Sequence, residues 1–154
     1  MRDKMTFYLS DGVQNIPRDF DALVCAGMGA DTMISILSSA PWLKNEQYRL
    51  ILQCQSKTPM LRRYLSENGW YIRQEQALQD KKFLYTVMEV IYKPHSLLTP
   101  AQCHFPPTLV ENEYYSAYYK WVIKGLEIIV KNRKDLADPF EAEALEDLRK
   151  KEIQ

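Results

Sequence analysis

Two short apolar segments separated by an amphipathic helix are the feature that most constrains how this chain can fold. They are Asp21–Ala26 and Arg49–Gln55, and between them Met33–Ala40 has apolar residues at helical spacing before Pro41. Two strands that are connected through a helix are usually parallel neighbours in a sheet. The strands of such a sheet are covered on both faces. The pattern therefore predicts an α/β fold with a mainly parallel sheet. A further short strand is predicted at Met5–Leu9.

The next residues predict a second helix and an antiparallel hairpin. Thr58 followed by proline is typical of a helix start, and Gly69 is typical of a helix end. Trp70–Leu78 and Phe83–Tyr92 have the pattern of strands, and the four residues between them are too few for a crossover connection. We therefore expect one edge of the sheet to be antiparallel.

The C-terminal third predicts a proline-rich connection and two helices. Residues 94–110 contain four prolines, as expected for a linker or a segment that wraps around the domain. Glu111–Lys131 carries a long apolar stripe, and Asp138 followed by Pro139 is typical of the start of a second helix. A short polar link between two helices predicts an antiparallel helical hairpin. We thus expect a sheet domain over residues 1–93, a linker over 94–110 and a helical hairpin over 111–154.

Composition narrows the functional classes. Of the 154 residues, 46% are hydrophobic, enough for a packed core, and the formal net charge is zero, which weakly disfavours a strongly electrostatic nucleic-acid binder. The three cysteines are widely spaced, so they predict neither a zinc site nor a disulfide framework. No apolar run is long enough for a membrane span, and the N-terminus does not have the apolar stretch of a secretion signal. We therefore expect a cytoplasmic protein without a metal site.

The charges separate between the two C-terminal helices. Residues 120–134 carry five basic residues against one glutamate, whereas residues 135–147 carry six acidic residues and no basic residue. One interpretation is that the two helices pair with each other within the hairpin. The other is that the basic helix also contacts phosphate, because exposed ion pairs contribute only about 0.5 kcal/mol each and would not hold the hairpin closed by themselves.

Gly27 and Gly29 lie where the first buried strand should end and a helix should begin. In an open α/β sheet, ligands bind beyond the carboxyl ends of the strands. Glycine at this place permits positive φ and lets the backbone contact a ligand directly. The amides at the start of the following helix would point into the same crevice. A simple tight turn explains the two glycines equally well, so this pattern alone leaves the question open.

The ordered motifs of the chain resemble one enzyme family along nearly its whole length. The segments that carry the resemblance are FYLSDGV, CAGMGADTMISIL, LILQCQ with LRRYLSENGWYI, EQALQDKKFLYTVMEV and HFPPTLV. They are similar, in this order, to motifs of the bacterial tRNA methyltransferases that methylate N1 of adenine 22 and use S-adenosylmethionine. Ala30, Cys54 and Pro106 depart from the family pattern at single positions.

The resemblance implies an incomplete Rossmann-like methyltransferase sheet with an antiparallel closing hairpin, followed by a C-terminal helical hairpin. Members of the family begin with a strand and an acidic, glycine-bearing loop that holds the methionine part of the cofactor, and no such feature precedes Met5–Leu9 here. We therefore expect an N-terminally truncated version of the enzyme that is inactive alone. We also expect an open edge on the Asp21–Ala26 strand, through which the chain could self-associate.

The resemblance also implies roles for particular residues. S-adenosylmethionine would lie near the two glycines, and adenine N1 would attack its methyl group beside a tyrosine or tryptophan platform, for which Tyr85 and Trp70 are candidates. Arginines on the second helix and lysines on the basic helix are candidate phosphate contacts. The predicted catalytic residues are Ala26, Gly27, Met28 and Tyr85; the predicted cofactor-binding residues are Asp11, Gly12, Ala26, Gly27, Met28 and Gly29; the predicted RNA-binding residues are Arg62, Arg63, Lys120, Lys124 and Lys131.

Two other functions remain open on the sequence alone. A shortened α/β half with a helical hairpin could be a non-catalytic module that binds RNA or a protein partner. It could also be a nonfunctional remnant of the enzyme. The absent cofactor loop favours these two for the chain as it stands, whereas the ordered motifs favour the tRNA methyltransferase.

Overall fold

A computed structural model describes residues 4–133 and 139–152. The chain forms one mixed sheet of five strands with helices packed on it. The strands are β1 Ala22–Met28, β2 Arg49–Cys54, β3 Trp70–Asp80, β4 Phe83–Tyr92 and β5 Leu109–Val110. The α-helices are α1 Ala30–Ser38, α2 Thr58–Glu67, α3 Pro100–His104, α4 Tyr115–Asn132 and α5 Pro139–Glu152, and a 3-10 turn covers Pro41–Leu43.

The order of the strands in the sheet is β1-β2-β4-β3-β5. β1 and β2 are parallel and are connected through α1, whereas β2 with β4 and β4 with β3 are antiparallel. This arrangement confirms the predicted α/β class, with a parallel pair and an antiparallel closing hairpin. β3 with β5 is also parallel, so the sheet is mixed instead of mainly parallel as predicted. The carboxyl ends of β1 and β2 lie together at one end of the sheet.

The strand predicted at Met5–Leu9 is wrong. Residues 5–10 have no strand structure, and the side chains of Phe7 and Leu9 are 85% and 100% exposed. A segment becomes a strand only when it pairs with a neighbouring strand, and residues 5–10 pair with none of the described strands. This segment is instead held through the turn that follows it, where Val13 is buried in the core.

The hairpin is longer than the sequence pattern predicts. β3 continues to Asp80, so the connection consists of Lys81 and Lys82 instead of four residues. Lys81 adopts a left-handed conformation with φ of 53°, which suits a tight two-residue turn between antiparallel strands. The predicted connection was wrong because polar residues, here Gln79 and Asp80, can extend a solvent-exposed strand tip.

Residues 94–110 wrap onto the domain. Thr99 begins α3 with a reciprocal capping box, in which its hydroxyl accepts from the Gln102 amide and the Gln102 side chain accepts from the Thr99 amide. Leu109 of β5 then pairs in parallel with Glu75 of β3. The proline-rich segment is therefore joined to the sheet at its outer strand.

A fully buried arginine connects the second helix to four other elements. The Arg62 guanidinium forms a two-pronged ion pair with the Glu75 carboxylate, at 2.6 and 3.1 Å. It also donates to the carbonyls of Cys103 and His104 and to the hydroxyls of Thr86 and Tyr118. Burial by itself would lower the pKa of Arg62, but the Glu75 charge raises it above the ordinary arginine value, so the guanidinium stays charged.

The two C-terminal helices pack through apolar residues and a few polar contacts. Val122 and Leu126 of α4 share a buried cluster with residues of α5 such as Ala144 and Leu148. The Tyr119 hydroxyl donates to the Leu148 carbonyl at 2.9 Å. Two ion pairs link the two helical segments, Arg149 to Glu127 and Arg133 to Glu141. Only the second joins the basic residues 120–134 to the acidic residues 135–147 as the pairing interpretation expects. Lys134, Asp135 and Asp138 lie outside the described residues.

Among the described residues, no helix is long and apolar enough to cross a membrane.

We predict that Arg62→Ala destabilises the chain by about 3 to 5 kcal/mol, because the buried Glu75 carboxylate would lose its partner. Denaturant unfolding followed by circular dichroism measures this change. Arg73→Ala is the matched control, since Arg73 forms an exposed ion pair with Glu89 and its loss should cost less than about 1 kcal/mol. Equal effects of the two substitutions would contradict the central role of Arg62.

Candidate functional site

The backbone bends at Gly27, inside the last part of β1. Ala26 pairs with Gln53 and Met28 pairs with Cys54, so Gly27 is an extra residue that forms a bulge against β2. Its φ is 75°, a conformation that favours glycine. The Gly27 amide donates to Oε1 of Gln53 at 2.8 Å, and this contact fixes the bulge.

Space is open beside Gly27. A Cβ placed there would have Nε2 of Gln55 as its nearest neighbour, at 4.0 Å, and both Ala26 and Gly27 are exposed. The strand end expected to approach a ligand is therefore accessible and is not covered by side chains. A ligand in this place would contact the backbone of β1 directly.

Gly29 is required for a different reason. It is the residue before α1, has an extended conformation with φ of −73°, and a Cβ there would lie only 2.9 Å from Oγ of Ser56. The Ala30 amide donates to the Ser56 carbonyl at 3.1 Å. The second glycine thus allows the start of α1 to pack against the β2–α2 loop. The prediction that the first amides of α1 face the crevice is wrong for Ala30, because its amide is already bonded.

The loop Gln55–Lys57 borders both the glycine bend and a large cleft. Lys57 has a left-handed conformation, and its ammonium forms an ion pair with Asp31 of α1 at 2.8 Å. On the other side of this loop, a cleft of about 480 Å³ lies between the start of α2, the β3–β4 hairpin and α4. Tyr85 of β4 lines this cleft together with Gln55 and Ser56. The structure therefore places Tyr85 next to the loop that contacts the glycines.

Asp11 and Gly12 lie in the turn that packs against α1. Gly12 has φ of 56°, and a Cβ there would lie 3.1 Å from Cγ1 of Ile36. Ile36 is six residues beyond the start of α1, which corresponds to about 9 Å along the helix. Asp11 is exposed. The turn predicted to bind the cofactor is thus docked on the same helix that begins at the glycines.

Two of the predicted aromatic and basic contacts are wrong. Arg62 is fully buried with all three nitrogens of its guanidinium engaged, so it cannot contact RNA phosphate. Trp70 is buried in the core, 5.5 Å from the Tyr92 ring, which excludes it as a platform for a base. The sequence did not distinguish Arg62 from Arg63, because the two arginines are adjacent polar residues in the same helix.

The other predicted basic residues are at the surface. Arg63 is exposed, forms an ion pair with Glu67 and lies over the ring of Phe140. Lys120, Lys124 and Lys131 are exposed on α4, and no ion pair of theirs is found within residues 4–133 and 139–152. These three lysines stay available for an anionic partner.

The sequence patterns did not indicate four residues that the structure places at or behind the site: Gln53, Glu75, His104 and Trp121. Gln53 holds the bulge, Glu75 holds Arg62, and His104 and Trp121 line the cleft. Burial, followed by the nearby Arg62 charge, lowers the pKa of His104 to about 4. The sequence carried a signal for Trp121, because this residue lies outside the apolar stripe of its helix. In the structure 57% of it is exposed.

The described residues contain no group of three or more His, Cys, Asp or Glu arranged to hold a metal ion. All three cysteines are free and buried, and burial raises the pKa of each thiol. Neither metal binding nor a reactive thiolate is supported by these side chains.

A family model matches nearly all of this chain. The model of the family TrmK, described as tRNA (adenine(22)-N(1))-methyltransferase, matches residues 1–152. A Mycoplasma pneumoniae protein that is provisionally named a tRNA methyltransferase is 31% identical over 129 residues, which cover 79% of this chain and 59% of that protein. A similarly named Mycoplasma genitalium protein is 35% identical over 96 residues, 59% of this chain and 43% of that protein. The chain thus spans about half the length of these curated relatives.

Solved structures confirm the Rossmann-like fold. A Streptococcus pneumoniae protein, provisionally described as a tRNA (m1A22) methyltransferase and solved with S-adenosyl-L-methionine, has a TM-score of 0.76 at 21% identity, covering 96% of this chain and 69% of that one. M. capricolum TrmK, solved with S-adenosyl-homocysteine, has a TM-score of 0.64 at 18% identity, covering 93% and 65%. A Streptococcus agalactiae protein of the NADB-Rossmann superfamily has a TM-score of 0.73 at 20% identity, covering 93% and 65%.

We predict that the chain loses stability as the pH falls from about 6.5 to about 4, in part through His104. The unfolded histidine binds a proton near pH 6.5 and the buried one only near pH 4, so acid favours the unfolded state by on the order of 3 kcal/mol at most. His104→Phe should flatten this part of the stability profile, measured by urea unfolding at several pH values. His95→Phe is the control, and an unchanged profile in His104→Phe would contradict the assignment.

Proposed function

Because the chain belongs to the tRNA (adenine(22)-N(1))-methyltransferase family, we propose that it takes part in transferring a methyl group from S-adenosylmethionine to N1 of an adenine in tRNA. The observation that carries this proposal is the open backbone bend at Gly27, bordered by the same loop that borders the Tyr85 cleft. The bend leaves space for a methyl donor at a strand end, and the cleft leaves space for a base.

The residues present fit one side of such a cofactor site. At Gly27 a side chain would enter open space, and the exposed backbone of Ala26 and Gly27 can approach a ligand closely. S-adenosylmethionine, when bound, supplies an electrophilic methyl group. We propose that the segment from Ala26 to Gly29 holds the donor end of that molecule, and that Asp11 and Gly12 hold its adenine end.

The chain would act mainly by positioning the target adenine. Adenine N1 carries a free lone pair, so the attack on the methyl carbon requires no strong general base. Proximity and orientation can supply about 7 to 11 kcal/mol of the barrier reduction. We propose that Tyr85 stacks on the base and that carbonyl oxygens from Ala26 to Met28 accept the adenine amine. The Met28 carbonyl already accepts from the Gln55 amide at 2.8 Å, which fixes its direction.

Positive charge passes from sulfur to the base during transfer. Carbonyl dipoles directed at the adenine amine would stabilise this charge, as preorganised dipoles do in other transfer reactions. The substrate tRNA would be held by Arg63, Lys120, Lys124 and Lys131, which are exposed cations. A tRNA substrate and three free cysteines both fit a cytoplasmic location.

We predict that the protein, expressed from its complete gene, binds S-adenosylmethionine in a calorimetric titration. It should also form N1-methyladenosine in tRNA, detected by mass spectrometry of nuclease digests. Gly27→Val in the same protein forces a branched side chain into a left-handed conformation and should lower transfer at least tenfold.

A Gly27→Val protein that transfers the methyl group as fast as the unmodified protein would contradict the role proposed for this bend. Absence of N1-methyladenosine with the unmodified protein, with tRNA binding retained, would favour a non-catalytic RNA-binding module instead.

We also propose that the chain self-associates through β1. This strand is at the edge of the sheet, and Val24 on it is 67% exposed. An apolar open edge favours pairing with another strand, and a lysine there opposes it. Sedimentation equilibrium at concentrations on the order of 100 μM should detect association that weakens in Val24→Lys. Purely monomeric behaviour of the unmodified chain would contradict this.

A further inference from the structure

The cleft between the hairpin and α4 has an aromatic wall that the proposed methyl transfer does not use. Trp121 of α4 lines it, and 57% of this residue is exposed. Its ring is stacked on Tyr118 with centroids 5.7 Å apart and planes inclined by 29°. Tyr118 is buried, and its hydroxyl accepts from the Arg62 guanidinium at 2.9 Å. The indole is therefore backed by a rigid support.

A glycine on the same wall keeps the cleft open. Gly125 is one turn beyond Trp121 in the interior of α4, and no atom lies within 4 Å of the position its Cβ would have. Glycine in a helix interior is unfavourable relative to alanine, because it increases the entropy lost on folding. Neither packing nor backbone conformation explains this glycine. A flat ligand lying against the helix beside Trp121 would explain it.

Cations flank the aromatic wall. At about 100° per helical residue, Lys120, Lys124 and Lys131 fall within about 40° of one another, and Lys124 is about 60° from Trp121. Across the cleft, the Lys82 ammonium lies 5.3 Å from the centre of the Phe83 ring, and both residues line the cavity. Aromatic rings beside a row of cations are the combination that single-stranded nucleic acid recognises, through stacked bases and phosphates.

From these contacts we infer that the cleft binds one unstacked nucleobase of single-stranded RNA. The base stacks on Trp121 over the space left by Gly125, and Lys124 contacts the adjoining phosphate. This inference rests on the proposed function for its choice of RNA, and it adds a base-binding site beyond the target adenine at Tyr85. Tyr85 and Trp121 line the same cleft, so the target adenine on Tyr85 and the second base on Trp121 would belong to one distorted stretch of the tRNA.

Binding of two matched RNA probes to the 154-residue chain tests the inference. One probe is a five-nucleotide oligoadenylate, and the other is the same oligomer without its central base. They carry the same charge, so a difference between them reports base stacking. We expect the intact probe to bind at least about fivefold more tightly, since stacking of one base on an aromatic ring changes affinity by roughly this factor or more. Fluorescence anisotropy of end-labelled probes measures both affinities.

Substitutions at three positions refine the test. Trp121→Ala should bind the intact probe as weakly as the unmodified chain binds the abasic one, whereas Trp121→Phe should keep most of the preference. Gly125→Leu should abolish the preference while raising the melting temperature, because leucine fills the cleft and favours helix. Lys124→Ala should weaken the binding of both probes equally, and it should reduce the slope of log K against log salt concentration by about 0.7. Trp42→Phe, which alters a tryptophan outside the cleft, is the control.

Equal affinities of the two probes for the unmodified chain would overturn the inference, whatever the variants do. A Trp121→Ala chain that binds both probes normally but sediments differently would also overturn it, in favour of a protein occupant. If base-dependent binding is found but the protein expressed from its complete gene makes no N1-methyladenosine, the base site in the cleft stands and the methyl-transfer proposal fails.

Discussion

The buried pair of Arg62 and Glu75 is the interaction on which the arrangement of this chain depends. Such a pair adds little net stability, because removing both charges from water costs about as much as their attraction returns. Its effect is geometric, because the five donors of a planar guanidinium can all be bonded only when the surrounding acceptors lie in one particular arrangement. Here those donors reach β3, β4, the end of α3 and α4. One side chain therefore fixes where the C-terminal helices lie on the sheet.

The position of α4 in turn creates the cleft. Tyr118 is held by Arg62 on one side and supports Trp121 on the other, so the wall of the cleft is connected to the interior of the sheet. The opposite wall is the hairpin, with Tyr85 and Phe83. Because Lys57 and its neighbours join the cleft to the glycine bend, two ligand spaces share one loop. This proximity is what a reaction between a cofactor and an RNA base requires.

The parallel part of the fold could be predicted because its signals are local. Each signal depends only on residues that are close in sequence: the continuous apolar strands, the helix between them and the helix stop at Pro41. Met5–Leu9 was mispredicted because an apolar, strand-like segment becomes a strand only where a neighbour exists, and pairing is not local. Arg62 was misassigned for the same reason. Its burial follows from Glu75, Cys103 and Tyr118, which are distant in sequence.

By itself the sequence determined the α/β class, the glycine pair at the end of β1 and the family to which the chain belongs, since ordered motifs and spacing are properties of the chain alone. Only the tertiary structure decided that Gly27 forms a bulge and that a side chain at position 29 would collide with Ser56. Both features depend on contacts with β2 and the loop that follows it. It also decided that Trp121 faces a cleft and Trp70 the core. A side chain's environment is set by the elements that pack around it, and those come from far along the chain.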